Sequence, residues 1–183
     1  DVYKRQAKYK FELTKVKSDE EKTELSGAVL TVNGKEAISD GKSKYNITEK
    51  INIGQTKSYI IKESSTITNH INVLKDKFIV LVVRLDEQEK LSIVTQSAFD
   101  ISSGTAVTAS PDVWNYVDVY FEEENGVQIL KVDVVNPVEY KFKVMKTKSD
   151  KASTPLSGAT ITINGEPLIK DGLSSYEITK SIK

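Results

Sequence analysis

Two stretches of this chain are near copies of one another. YKFELTKVKSDEEKTELSGAVLTVNG begins at Tyr9, and YKFKVMKTKSDKASTPLSGATITING begins at Tyr140. The match runs without a gap from residues 9–51 to residues 140–182, at an offset of about 131 residues, with roughly half the positions identical. Solenoid repeats recur every ~20–50 residues, so an offset this long has the period of a domain. A chain of 183 residues has room for one such domain and the opening of another. The expected organisation is a tandem repeat, with residues 7–137 as one complete domain and residues 138–183 as the truncated N-terminal part of a homologous one. The abrupt ends suggest a fragment of something longer. The opening DVYKRQ, residues 1–6, is what one frame of a transposase-adapter end from shotgun libraries would encode, and it bears no likeness to VDVVNPVE before the second copy. Those residues are therefore expected to be a sequencing artefact and are set aside.

Almost every legible element is a strand. FELTKVK alternates apolar and polar residues, GAVLTVNG is β-branched and ends in an Asn-Gly turn, and KSYIIKE alternates again. DKFIVLVVRL is apolar enough for a central strand. WNYVDVYF and VQILKVDVVN flank EEENG, whose Asn125-Gly126 pair suits the positive φ angles of a tight hairpin. Between these lies a polar, Ser/Thr-rich region, residues 88–112, expected to hold one short strand at LSIVTQ and then a long loop. No segment keeps a helical period for long, so the class is all-β.

Composition removes several kinds of function. Lys plus Arg and Asp plus Glu both number 26 and are interspersed, which leaves no footprint for nucleic acid or an anionic membrane. Without cysteine there is no disulfide, thiolate metal site or cysteine nucleophile. The longest apolar run, FIVLVV, is far short of the ~20 residues of a membrane-spanning helix. Neither zinc nor calcium spacing is present, so no metal or cofactor is expected. The single histidine, His70, lies near Ser64 and Ser65 without a nucleophile elbow, and reads as a packing or surface residue.

Strand parity picks out three polar residues. Alternate side chains share a face, so Phe11, Leu13 and Lys15 point one way, Tyr59, Ile61 and Glu63 another, and Leu130, Val132, Val134 and Asn136 a third. Each series runs apolar and then ends in an amine, a carboxyl or a carboxamide. One reading is that each residue simply ends its strand and turns to solvent. The other is chemical. A desolvated lysine loses its proton more easily, and a buried carboxyl keeps its own. A neutral Lys15 amine could then attack the carboxamide of Asn136, while a protonated Glu63 hydrogen-bonds the amide oxygen and passes a proton to departing ammonia. The product is an intramolecular isopeptide bond, made once and without cofactor. The coincidence of all three favours this second reading. Lys17 shares the parity of Lys15 but sits nearer the polar turn, and Asp133 lies on the opposite face from Asn136.

LTKVKSDEEKTELSGAVLTV resembles the opening of the Cna-B type, or SpaA-like, domains of Gram-positive surface proteins, in which a lysine-bearing strand precedes a Leu-x-Gly-Ala turn. VMKTKSDKASTPLSGATITI fits equally well. YIIKESSTITNHI is similar to the family's E-box, YxLxETxAPxGY, at Tyr59, Ile61 and Glu63, with Ser64 in the threonine position. The Ala-Pro pair, the glycine and the last tyrosine are replaced around Thr66, Ile67, Asn69 and His70. VDVVN is similar to the family's terminal strand, whose asparagine accepts the bond. The resemblance implies an Ig-like or prealbumin-like (transthyretin-type) antiparallel β-sandwich. It also implies an isopeptide lysine at Lys15, an acid and proton shuttle at Glu63, an acceptor amide at Asn136 and an equivalent lysine at Lys146 in the second copy.

Family members are typically stalk modules of sortase-anchored adhesins and pilins. The expected function is therefore a structural spacer on a Gram-positive cell wall, extracellular, partnered by neighbouring repeats and held through an anchor outside this sequence. Its only reaction would be single-turnover crosslinking. The alternative is an adhesive module that binds a host matrix protein or glycan through residues 88–112 or through a platform of Trp114, Tyr116 and Tyr120.

Overall fold

The structure, a computed structural model, describes residues 5–101, 106–150, 152–170 and 172–182. It divides into two compact units, the first ending at Val138 and the second spanning Glu139–Ile182.

The first unit contains β1 (Gln6–Lys17), β2 (Val29–Val32), β3 (Lys35–Ile38), β4 (Lys44–Asn52), β5 (Thr56–Ser65), β6 (Lys77–Leu85), β7 (Leu91–Ile101), β8 (Val107–Ala109), β9 (Val117–Glu124) and β10 (Val127–Asn136). A four-stranded sheet in the order β4-β1-β10-β9 faces a six-stranded one in the order β3-β2-β5-β6-β7-β8. Tyr9, Phe11 and Leu13 of β1 and Leu130, Val132 and Val134 of β10 are buried from one side, and Tyr59, Ile61, Ile79, Leu81 and Val83 from the other. The fold is an all-β sandwich whose core is made by the inward-facing alternate residues. Phe11 stacks on Tyr59 across it, with ring centroids 4.2 Å apart.

Local chemistry sets the hairpins. Asn33 and Gly34 have φ of 51° and 76°, and Asn125 and Gly126 have 52° and 75°. Positive φ at both central residues matches the right-handed twist of the strands they join, and Asn-Gly reaches it at least cost. β6, the most apolar strand, is central, between β5 and β7.

Three features differ from the sequence expectation. The described strand pairs of this unit are antiparallel except β1 and β10, which run parallel. Parallel neighbours need a long crossover, and here almost the whole domain supplies it. Residues 88–112 are mostly not loop: β7 extends to Ile101, β8 pairs with it, and only residues 102–105 lie outside the described residues. Ser92, Val94 and Gln96 of β7 are exposed while Leu91 and Ala98 are buried and Phe99 packs on Phe78, centroids 5.2 Å apart, so a strand of modest apolar content is held by a few inward contacts. Finally, Trp114 belongs to a short 3-10 helix, Pro111–Asn115, and not to the following strand. Pro111 has the φ of a helical first position, and the turn buries Val113. Strand pairing also includes a residue ahead of Ala7, since Gln6 pairs with Asn52 in β1 and β4.

The second unit has β11 (Val138–Met145), β12 (Ile161–Ile163), β13 (Glu166–Ile169) and β14 (Ser175–Ile182), with β11 beside β14 and β12 beside β13. Its backbone repeats details of the first. The Lys15 amide donates to Ser43 O at 2.8 Å and the Lys146 amide to Ser174 O at 2.9 Å. Leu25 donates to Lys15 O, and Leu156 to Lys146 O, each at 2.8 Å.

Candidate functional site

Lys15 is the penultimate inward position of β1 before the chain turns out at Lys17. Its register partner on β10 is Val134. Asn136 lies two residues further along β10, on the same face, so the two side chains are diagonal neighbours on adjacent strands. Glu63 comes from β5 in the opposite sheet, at the first regular pair after a bulge between Val29 and Leu30. All three are enclosed: Lys15 and Asn136 are 0% exposed and Glu63 4%.

The lid over this end of the core is the segment after β5. Ile71 donates to Pro137 O at 2.9 Å, His70 bridges Val138, and Asn72 Nδ2 donates to Glu63 O at 3.3 Å. Ile67 packs on Gly27, whose φ of 101° suits glycine, and a Cβ there would lie 3.2 Å from Ile67 Cγ1. The Leu-Ser-Gly-Ala turn therefore seats the lid as well as starting β2.

The polar atoms inside form a closed set. Lys15 Nζ lies 3.1 Å from both carboxyl oxygens of Glu63 and donates to Asn136 Oδ1. Asn136 Nδ2 donates to Glu63 Oε1 at 2.9 Å and to Thr66 Oγ1. Among the described residues no buried side-chain nitrogen or oxygen lacks a partner. Desolvation dominates the electrostatics of the amine: burial lowers the Lys15 pKa to about 8, against the opposing pull of Glu63. Roughly a tenth of the amine is then neutral at pH 7, against less than a thousandth for an ordinary lysine. An amine, a carboxyl and a carboxamide thus meet in an enclosed pocket, with Glu63 Oε1 touching both the amine and the amide nitrogen.

One detail departs from the sequence reading. Glu63 was expected on the amide oxygen, but it contacts the amide nitrogen, and the oxygen is taken by Lys15. Thr66 was missed as a partner because it lies just past the end of β5, where strand parity no longer predicts direction. Its position three residues after Glu63, where the E-box has alanine, is the only sequence signal.

The other candidates do not join this site. Lys17 is exposed. Asp133, buried on the opposite face, accepts from Lys22 Nζ at 3.1 Å and from Tyr120 OH at 3.0 Å. Lys146 follows β11 and is half-buried. Trp114 and Tyr116 do not share a strand face with Tyr120. Both are half-buried against the core around the 3-10 helix, so the three aromatics do not form one strand face as expected. His70 Nδ1 is 3.2 Å from Thr68 O, and Ser64 Oγ donates to Val29 O at 3.3 Å, so each side chain has a backbone partner. No cluster of metal-ligating side chains occurs among the described residues, and no described helix is long and apolar enough to cross a membrane.

No protein-family model matches the chain, and no curated protein matches it. Among solved structures it is similar to BcpA, the major pilin subunit of Bacillus cereus, with 13% identity and a TM-score of 0.35 over 78% of this chain and 32% of that one. It is also similar to the pilus adhesin SpaC from Lactobacillus rhamnosus GG, with 15% identity and a TM-score of 0.35 over 93% of this chain and 22% of that one. The chain therefore spans a third or less of the length of either structure, and at this distance neither likeness speaks to function.

Proposed function

We propose that residues 7–137 are a self-crosslinking stalk module of the Cna-B or SpaA-like kind, repeated in tandem in an extracellular protein of a Gram-positive cell wall. The observation that carries this reading is the enclosed contact of Lys15, Glu63 and Asn136.

The reaction needs no other component. Loss of a proton from the Lys15 ammonium, eased by burial, leaves a neutral amine beside the Glu63 carboxylate. Nζ attacks Cγ of Asn136 to give a tetrahedral centre. The Glu63 carboxylate, whose Oε1 contacts both nitrogens, accepts one of the two protons on Nζ and delivers it to Nδ2. Collapse breaks the Cγ–Nδ2 bond and releases ammonia, leaving an Nζ–Cγ amide. Lys15 and Asn136 are consumed, so Glu63 acts once and there is no turnover.

Parallel pairing of β1 and β10 gives the bond its mechanical sense. β1 starts at one pole of the unit and β10 leaves at the other, so tension applied at the ends would shear these two strands. A bond near their common exit passes the load from β1 straight to the departing chain. The remaining strands carry none of it. Neighbouring repeats are the immediate partners, and attachment to the wall belongs to a sortase anchor outside this sequence. A proteolytic digest of the folded protein tests the reading. A branched peptide joining the Lys15 segment to the Asn136 segment is expected, and separate linear peptides carrying unmodified Lys15 and Asn136 would refute it.

A further inference from the structure

We propose that Thr66 is a positioning residue for the crosslinking reaction: its hydroxyl holds the leaving nitrogen of Asn136 in place while the amine attacks. The inference rests on the reading of Lys15, Glu63 and Asn136 given above.

A carboxamide can be turned end for end in a pocket at little steric cost, because its oxygen and nitrogen are nearly the same size. Only partners distinguish them. Here Oδ1 accepts from Lys15, one N–H of Nδ2 goes to Glu63 Oε1 at 2.9 Å, and the other goes to Thr66 Oγ1. Glu63 alone does not settle the orientation, since its protonated form can donate to an amide oxygen as readily as its carboxylate accepts from an amide nitrogen. The Lys15 ammonium, which can only donate, turns Oδ1 toward itself, and the Thr66 hydroxyl then accepts the second N–H of Nδ2 and holds that nitrogen in place.

Its contribution continues through the reaction. When Nδ2 changes from a planar amide nitrogen to an amine, it needs a proton on its new lone pair. With one N–H kept on Thr66, the lone pair can face Glu63, which by then holds the proton taken from Nζ. Thr66 is itself half-buried at the rim of the site, while Asn136 is 0% exposed, so it also marks the side on which ammonia leaves. Its backbone is fixed on one side by β5 and on the other by Ile67 against Gly27.

The test uses the full chain recovered unfolded and unreacted from inclusion bodies, refolded across a range of pH, with ammonia loss followed by intact mass. Thr66→Val keeps the shape and removes the hydroxyl, and Thr66→Ser keeps the hydroxyl. The expected result is a plateau rate roughly ten- to a hundredfold lower for Thr66→Val and within about threefold of the parent for Thr66→Ser. The pH midpoint should be the same in all three, because burial of Lys15 sets it. A Thr66→Val plateau equal to that of the parent overturns the proposal. So does a midpoint displaced toward that of ordinary lysine, which would mean that the change merely wetted the site. A parent that keeps its ammonia overturns this inference and the crosslinking reading together, whereas a reacting parent with an indifferent Thr66→Val overturns this inference alone.

Discussion

Lys15 and Asn136 are 121 residues apart in sequence, yet they lie side by side near the common exit of two parallel strands, with Glu63 reaching both from the opposite sheet. Each group alone would be costly to bury, and an ion pair held in an apolar core is a weak source of stability. Their shared enclosure makes sense as the starting point of a reaction that ends with a neutral amide.

The rate of that reaction should follow the neutral fraction of Lys15. Burial lowers the pKa to about 8, so the rate of ammonia loss on refolding should rise through neutral pH and level off above about 8. The same shift gives a stability prediction for the unlinked Asn136→Ala variant. Between about 8 and the ordinary lysine value of 10.5 its unfolded state binds more protons than the folded one, so stability should increase with pH across that window. Denaturant titrations between pH 7 and 10.5 check the sign, and a decrease would contradict it.

Closing the chain between Lys15 and Asn136 restricts the unfolded state. By analogy with a disulfide, a loop of 121 residues is worth about 5 kcal/mol. For a domain of this size that corresponds to a melting temperature lower by roughly 15–20 °C in Asn136→Ala. Calorimetry of the two proteins checks this, and reductant should alter neither.

Pulling on the first unit from its two ends should distinguish the linked and unlinked forms more sharply than heating. Asn136→Ala should unfold with a gain in length of roughly 400 Å, the extended span of the residues enclosed by the bond. The parent should show no such step in single-molecule extension, because its load bypasses that segment.

Gly27 tests the seat of the lid. Its φ of 101° is strained for any side chain, and a Cβ 3.2 Å from Ile67 Cγ1 would make Ile67 give way. Gly27→Ala in the Asn136→Ala background should cost about 1–2 kcal/mol in denaturant unfolding. In the otherwise native chain it should slow crosslinking, since Ile67 adjoins Thr66.

Strand parity made most of this site legible. Phe11, Leu13 and Lys15, then Tyr59, Ile61 and Glu63, then Leu130 to Asn136 on alternate positions, are all buried as a period of two requires. What the sequence could not supply was long-range. Nothing local marks β1 and β10 as parallel, because that pairing is decided by how the intervening strands wind. Residues 97–101 read as loop because a strand with one wet face needs little apolar content, and the partner β6 is what holds them. Trp114 read as part of a strand because an aromatic-rich run is ambiguous until Pro111 is known to start a 3-10 turn. Thr66 escaped for a related reason, since it lies one step past the regular strand. The aromatic platform was misplaced on the same ground, since Trp114 lies in the 3-10 helix and not on the strand of Tyr120.

The most direct test of the crosslink is the intact mass of a recombinant Ala7–Pro137 protein beside its Lys15→Ala, Glu63→Ala and Asn136→Ala variants. The account predicts that the parent is lighter than its calculated mass by one ammonia while every variant has its full mass. A folded parent with its full calculated mass would contradict it, leaving an enclosed amine, carboxyl and carboxamide that do not react.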